Sequence, residues 1–178
     1  MNGRSGNSGS RDVIGVILAL RQALRETPTQ QCPEVAAEYL CELFDGSMAA
    51  INLMDYGRSR FRTIANVGKL VGAERRSPDG ETYAFADFPY TTQHLARGAA
   101  YRSALDDPAC PTEYREMLSA DRRTGCLGAP IRANGNPLGE LWVARDNDQP
   151  FTDVEEDLAV ACGATLARFC RTQLSVAS

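Results

Sequence analysis

The sequence predicts an α+β domain: a central, mostly antiparallel sheet with terminal helices packed on one face. Three observations carry this expectation. Short apolar runs of strand type are joined by turns or irregular loops, not by the long helical crossovers that parallel pairing demands. Asn134-Gly135 lies between two such runs, and that pair accepts the positive φ of a tight hairpin. Thr152 is followed three residues later by Glu155, a capping box that should start a long final helix at Asp153.

In chain order, residues 1–10 are rich in Gly, Ser and Asn and read as a disordered arm, with 11–178 as one domain. A first helix is expected over 12–25, where Val13, Ile17, Leu20 and Leu24 form an apolar stripe. Ile14, Val16 and Leu18 widen that stripe beyond one contact face, which predicts packing on both the domain and a second copy. Thr27-Pro28 ends the helix. Pro33 opens the next in its first turn, where a missing N–H costs nothing, and Gly46 should stop it as a left-handed cap. Residues 48–54 read as a strand, 55–58 as a turn and 60–67 as the returning strand. Strict alternation puts Phe61, Thr63, Ala65 and Val67 of that strand on one face.

Residues 68–81 read as an irregular loop. The segment 83–95 gathers Phe85, Phe88 and Tyr90 around Asp87 and Pro89, with a short helix from Thr91 or Thr92. A strand is expected over 100–105, a turn at Asp106-Asp107-Pro108 and a helix over 112–120 with Tyr114, Met117 and Leu118 on one side. Gly128 and Gly139, in the last two strands, leave room for a close approach. On the final helix Ala159, Gly163, Ala167 and Cys170 form a stripe of small residues, which predicts close approach of another helix.

With 178 residues, 43% of them hydrophobic, the chain suffices for one well-cored domain. A net charge of −4 gives no global attraction to nucleic acid or anionic membrane. No apolar run is long enough to cross a bilayer, and residues 1–10 lack the apolar stretch of a signal peptide, so a cytoplasmic location is expected. The six cysteines include no Cys-x-x-Cys pair and there is a single histidine, so no zinc pattern is present. The cysteines read as reduced, buried thiols. Arg122-Arg123 reads as a solvated charge pair.

From Pro33 to Arg171 the chain resembles a GAF domain. The resemblance is carried by Ala129-Pro130-Ile131, Gly139-Glu140-Leu141-Trp142 and Pro150-Phe151-Thr152, in that order and separation. It implies a GAF/PAS-like sheet with terminal helices on one face and a ligand pocket on the other. It also implies a free-standing, non-catalytic, homodimeric sensor in signal transduction, with a signalling-protein partner and no named ligand or cofactor. The alternatives are a free methionine-(R)-sulfoxide reductase-like enzyme and a ligand-free dimerisation module. The reductase's Gly-His-Ile-Ala-Cys-Asp segment is absent, and only Cys110 and Cys126 lie near the corresponding region. Phe85-Ala86-Asp87-Phe88-Pro89 looks like the end of a phytochrome bilin motif, but Glu113, Tyr114 and Arg115 stand where its histidine and cysteine belong. Asn147, Phe151 and Glu155 outline a cyclic-nucleotide motif, but Asp148 replaces its lysine. Haem would rest on His94 alone.

The ligand site is expected between the sheet and the 83–95 segment, lined by Phe85, Asp87, Phe88, Tyr90, His94, Tyr114, Cys126 and Trp142. Asp87 and His94 would orient a small polar or cationic ligand, the helix bearing Tyr114 would form a second wall, and Cys126 and Trp142 the floor.

Overall fold

A computed structural model of the chain describes residues 13–72, 74 and 80–176, with side chains up to 170. The expected disordered arm and much of the 68–81 loop lie outside the described residues. The elements are α1 (Val13–Glu26), α2 (Cys32–Leu43), β1 (Met48–Asp55), β2 (Arg60–Gly68), β3 (Thr82–Ala84), α3 (Pro89–Arg97), β4 (Tyr101–Ala104), α4 (Thr112–Ala120), β5 (Gly125–Ala133), β6 (Asn136–Arg145) and α5 (Asp153–Val176). The strands form a single sheet in the order β3-β2-β1-β6-β5-β4. Every neighbouring pair is antiparallel, as the short connections require.

Alternation along the central strands divides the sheet into two unlike faces. Ala49, Ile51 and Leu53 of β1, Leu127, Ala129 and Ile131 of β5, and Leu141 and Val143 of β6 join Leu20, Leu40, Phe44 and Leu166 in one core beneath α1, α2 and α5. The opposite face of the same strands carries Met48, Ala50, Cys126, Trp142 and Ala144, packed against Tyr101, Tyr114 and Leu118. That second face is roofed by α3 and α4.

Several local signals act as their chemistry dictates. Asn134 and Gly135 adopt φ of 51° and 82°, the paired left-handed geometry of a tight β5–β6 hairpin. At α5 the Thr152 N–H donates to Glu155 Oε2 at 2.9 Å, and the Glu155 N–H donates back to Thr152 Oγ1 at 3.3 Å. Arg145, almost wholly buried, holds this end of the molecule together. It donates to Phe44 O at 2.9 Å and to Glu155 Oε1 at 2.6 Å, with its guanidinium 4.0 Å above the Phe151 ring.

Five local expectations are corrected. The left-handed residue ending α2 is Asp45 (φ 49°), not Gly46. Gly46 is instead needed for space, since a Cβ there would lie 2.5 Å from Val143 Cγ1. Strict alternation fails in β2, because the register with β1 shifts between Ile51 and Asn52 and leaves Ile64 as an extra residue. This bulge turns Phe61 and Thr63 toward the α3–α4 side while Ala65 and Val67 join the helix-covered core. The chain also pairs at Thr82–Ala84, in a stretch read only as a connection, and α3 begins at Pro89, earlier than Thr91. Lastly, at Gly163 the small stripe of α5 receives the sheet and not a helix: a Cβ there would stand 2.2 Å from the Pro130 carbonyl oxygen.

Candidate ligand cavity

Between the sheet and its α3–α4 roof lies a cavity of about 260 Å³. Met48, Ala50 and Asn52 of β1, Phe61, Thr63 and Asn66 of β2, and Glu140 and Trp142 of β6 form its floor. Phe88 and Thr91 close one side, Tyr101, Tyr114 and Met117 another, and Val71, Gly72, Glu74, Glu81, Tyr83, Asp121 and Arg123 the rim.

The floor is polar where a sheet interior is normally apolar. Glu140, 4% exposed, accepts from Asn52 Nδ2 at 3.3 Å and from the Tyr101 hydroxyl. The Tyr114 hydroxyl donates to Tyr101 at 2.7 Å and shares a hydrogen bond with Thr91. On the other side, Thr63 Oγ1 donates to Asn52 Oδ1 at 2.9 Å. The chain of bonds thus runs from β2 through β1 and β6 to β4, α4 and α3. Burial drives the Glu140 carboxyl up to about 7, against the opposing pull of the Tyr101 and Asn52 hydrogen bonds. Burial, with the nearby Glu140 charge, raises both tyrosine phenols well above their ordinary range, so they serve as protonated donors. Gly128 makes room for this arrangement: a Cβ there would fall 2.3 Å from the Tyr101 ring.

A second network lines the rim. Arg123 is 3% exposed, which corrects its reading as solvated, whereas Arg122 is exposed as expected. Arg123 donates to Glu74 Oε2 at 2.8 Å and Asp121 Oδ2 at 3.1 Å and lies 5.4 Å from the Trp142 ring centroid. Nearby, Asn66 Nδ2 donates to Glu81 Oε2 at 2.9 Å, and the Tyr83 hydroxyl to Glu81 Oε1 at 2.7 Å. The side-chain oxygen Oδ1 of Asn66, fully buried, has no hydrogen-bond partner among the described residues.

Of the residues selected from sequence, Phe88, Tyr114 and Trp142 line this cavity. Phe85 does not; it packs edge-on against Phe61, centroids 4.8 Å apart, one layer outward. Tyr90 and His94 support the wall from behind, Tyr90 lying 5.6 Å from Tyr101 and 4.2 Å from His94, whose Nδ1 bonds Tyr90 O at 2.9 Å. Asp87 is exposed outside the cavity, and no side chain caps α3. Cys126 is sealed, wholly buried, in the layer beside Trp142 and Ala144. Asn52, Thr63, Asn66, Tyr101, Arg123 and Glu140 were missed. For Asn52, Thr63, Asn66 and Glu140 the signal was a polar residue at an alternate position inside an apolar strand, clearest at Leu-Gly-Glu-Leu-Trp.

The cysteines are all free thiols. Burial raises Cys110 and Cys126, and pushes Cys162 and Cys170 up to about 12, so these four stay protonated at neutral pH. Phe151 and Glu155, from the outlined nucleotide motif, serve Arg145. Among the described residues no cluster of three or more His, Cys, Asp or Glu could hold a metal ion, and no helix is long and apolar enough to cross a membrane. A groove between α1 and α5 is larger than the cavity, about 420 Å³, but its lining of Ile17, Arg21, Arg25, Ala164, Thr165, Arg168 and Phe169 includes no buried polar group.

This architecture and the family's sequence pattern coincide. The chain belongs to the GAF domain family, whose model matches residues 29–168. Members of this family are regulatory and sensor modules. Among solved structures, the GAF domain of a phosphoenolpyruvate-protein phosphotransferase from Coxiella burnetii is similar, with a TM-score of 0.73 and 18% identity over 93% of this chain and 96% of that one. The corresponding Acinetobacter domain gives a TM-score of 0.74 and 14% identity over 95% and 99%. The chromophore-binding domain of a Stigmatella aurantiaca bacteriophytochrome gives 0.74 and 11% over 95% of this chain and 63% of that one. At these identities the likeness is one of fold. No curated protein matches the sequence.

Proposed function

We propose that this GAF domain is a non-catalytic sensor that binds a small molecule between the sheet and α3–α4. The observation that carries the reading is the buried Glu140–Asn52–Thr63 network on the floor of a cavity with aromatic walls. Convergent polar groups in an apolar hollow are the usual make-up of a ligand site. The raised thiols of Cys110 and Cys126 favour a sensor over a cysteine-dependent reductase, which needs a thiolate. The partner is a second copy, docking on Val13, Ile14 and Leu18, which are exposed along α1. The setting is the cytoplasm, where six free cysteines would stay reduced and where signalling partners are reached.

Native mass spectrometry of protein purified from its own host, alongside an Ala50→Leu variant, tests the site. Ala50 is 4% exposed and lines the cavity, so the added side chain fills it. A copurified small molecule should appear on the wild type and vanish from the variant. Retention by the folded variant would place the ligand elsewhere, and turnover of free methionine sulfoxide would overturn the non-catalytic reading.

A further inference from the structure

The lining of the cavity is specific about charge. Among the described residues it holds four carboxylates, Glu74, Glu81, Asp121 and Glu140, against one guanidinium, that of Arg123. Arg123 is already engaged by Glu74 and Asp121. Among the described residues Glu140 meets only neutral groups: Asn52 of β1, Tyr101 of β4, and beyond them Tyr114 of α4, Thr91 of α3 and the protonated Cys126 thiol of β5. Glu81 likewise has the Asn66 amide and the Tyr83 hydroxyl as its described partners. Two carboxylates therefore border the cavity without a described counter-charge. Beside them the Asn66 side-chain oxygen Oδ1 is a buried acceptor with no donor among the described residues, a state that costs about 1–3 kcal/mol when left unsatisfied. Phe61, Tyr83, Phe88, Tyr114 and Trp142 supply aromatic walls, whose electron-rich faces attract cations.

We infer that the cavity takes a small organic cation with N–H donors, an arylalkyl- or alkylammonium or an amidinium. Its head docks on Glu140 and its apolar body lies among the aromatic walls. This rests on the cavity being the ligand site, as proposed above, and adds the chemical class. An anion would meet the carboxylates with the one described guanidinium already paired. A neutral molecule would leave Glu140 and Glu81 without a counter-charge among the described residues. Binding a cation favours ionised Glu140, so affinity should rise with pH through about 7 and complex formation should release a proton below it.

Trp142 is the only tryptophan of the chain and lines the cavity, so its fluorescence reads occupancy. The full chain is titrated with phenethylamine, 2-phenylethanol and phenylacetate, three molecules of one shape carrying a positive, zero and negative charge. The amine should bind at least about tenfold more tightly than the alcohol at pH 8, with its advantage falling about tenfold at pH 6. Glu140→Gln should remove that advantage. Asn66→Asp, a second variant in case the first does not fold by circular dichroism, should enlarge it. Equal affinity for amine and alcohol would overturn the cationic class while leaving the cavity a ligand site. Tightest binding of phenylacetate would overturn it in favour of an anion. No response to any of the three at millimolar concentration would overturn the inference and count against the site itself.

Discussion

Along β6, Leu141 and Val143 lie on one face of the sheet and Glu140, Trp142 and Ala144 on the other, and their surroundings differ in kind. Beneath the helices the core is mostly aliphatic or small, with Phe44 and Phe151 as its buried aromatics, and α5 sits so close to β5 that only glycine fits at position 163. On the α3–α4 side the same strands bear a carboxylate, an asparagine and a threonine, with tyrosines standing over them and a hollow left unfilled. The first arrangement resists change because every removed methylene leaves a void. The second gives up packing and buries ionisable groups, which costs stability unless a ligand completes the network. The helix-covered face therefore supplies the folding free energy, and the other face holds the chemistry.

The largest effect should come where the helix layer is tied to the sheet. Arg145→Met removes the partner of Glu155 and the donor to the Phe44 carbonyl, and should cost about 3–5 kcal/mol in urea unfolding. A loss under about 1 kcal/mol would show that the aliphatic core alone fixes α5. Next, Leu141→Ala, fully buried under the helices, should cost about 2–5 kcal/mol. Phe88→Leu, on the cavity wall, should cost less than about 1.5 kcal/mol. Equal losses at the two sites would erase the contrast between the faces.

The pH dependence of stability sharpens it further. Glu140 ionises near 4.5 when unfolded and at about 7 in the fold, so the native state holds the extra proton between those values. Raising pH through that window must destabilise the ligand-free protein, by roughly 3 kcal/mol at the upper limit, with no further loss from this group above about 7. Glu155 works in the opposite sense. Burial raises its carboxyl, but the Thr152 backbone and the Arg145 pair bring it net below its ordinary value, so its contribution is lost only in acid. Unfolding free energies at pH 5 and pH 8 for wild type and Glu140→Gln separate the two, since the variant should lack the neutral-range slope. A wild type with no slope there would mean that Glu140 is solvated.

How much of this was legible in the sequence follows from the range of the forces involved. The Asn134-Gly135 hairpin, the Thr152–Glu155 box and the span of α4 depend on neighbours a few residues away, and the structure has them where the sequence puts them. The bulge at Ile64 depends on pairing with β1, so alternation alone misassigned half of β2. The small residues of α5 were visible, but not whether a helix or the Pro130 backbone would meet them. At the cavity, aromatic content drew attention to Phe85 and Tyr90, which support the wall from outside. Glu140 was in plain sight within an apolar strand. Its Tyr101 partner lies thirty-nine residues away on β4, two strands across the sheet, beyond any local pattern.

The smallest effect on stability belongs to the outermost layer, where α1 covers the helix face. The apolar stripe of α1 divides in two: Leu20 and Leu24 are 0% and 1% exposed inside the chain's own core, whereas Ile14 and Leu18 remain 71% and 57% exposed. Charges at Leu20 or Leu24 would unfold the domain and say nothing about association. Charges at Ile14 and Leu18 lie outside the core, so Ile14→Glu with Leu18→Glu should change per-chain stability by no more than about 0.5 kcal/mol at high dilution. The same pair placed on a dimer seam would repel across it and desolvate four carboxylates in two copies, so light scattering at micromolar concentration should show a wild-type dimer become a monomer. A monomeric wild type would leave the helix face with stability as its sole role. A loss of several kcal/mol in the double variant would mean that this surface is covered within one chain.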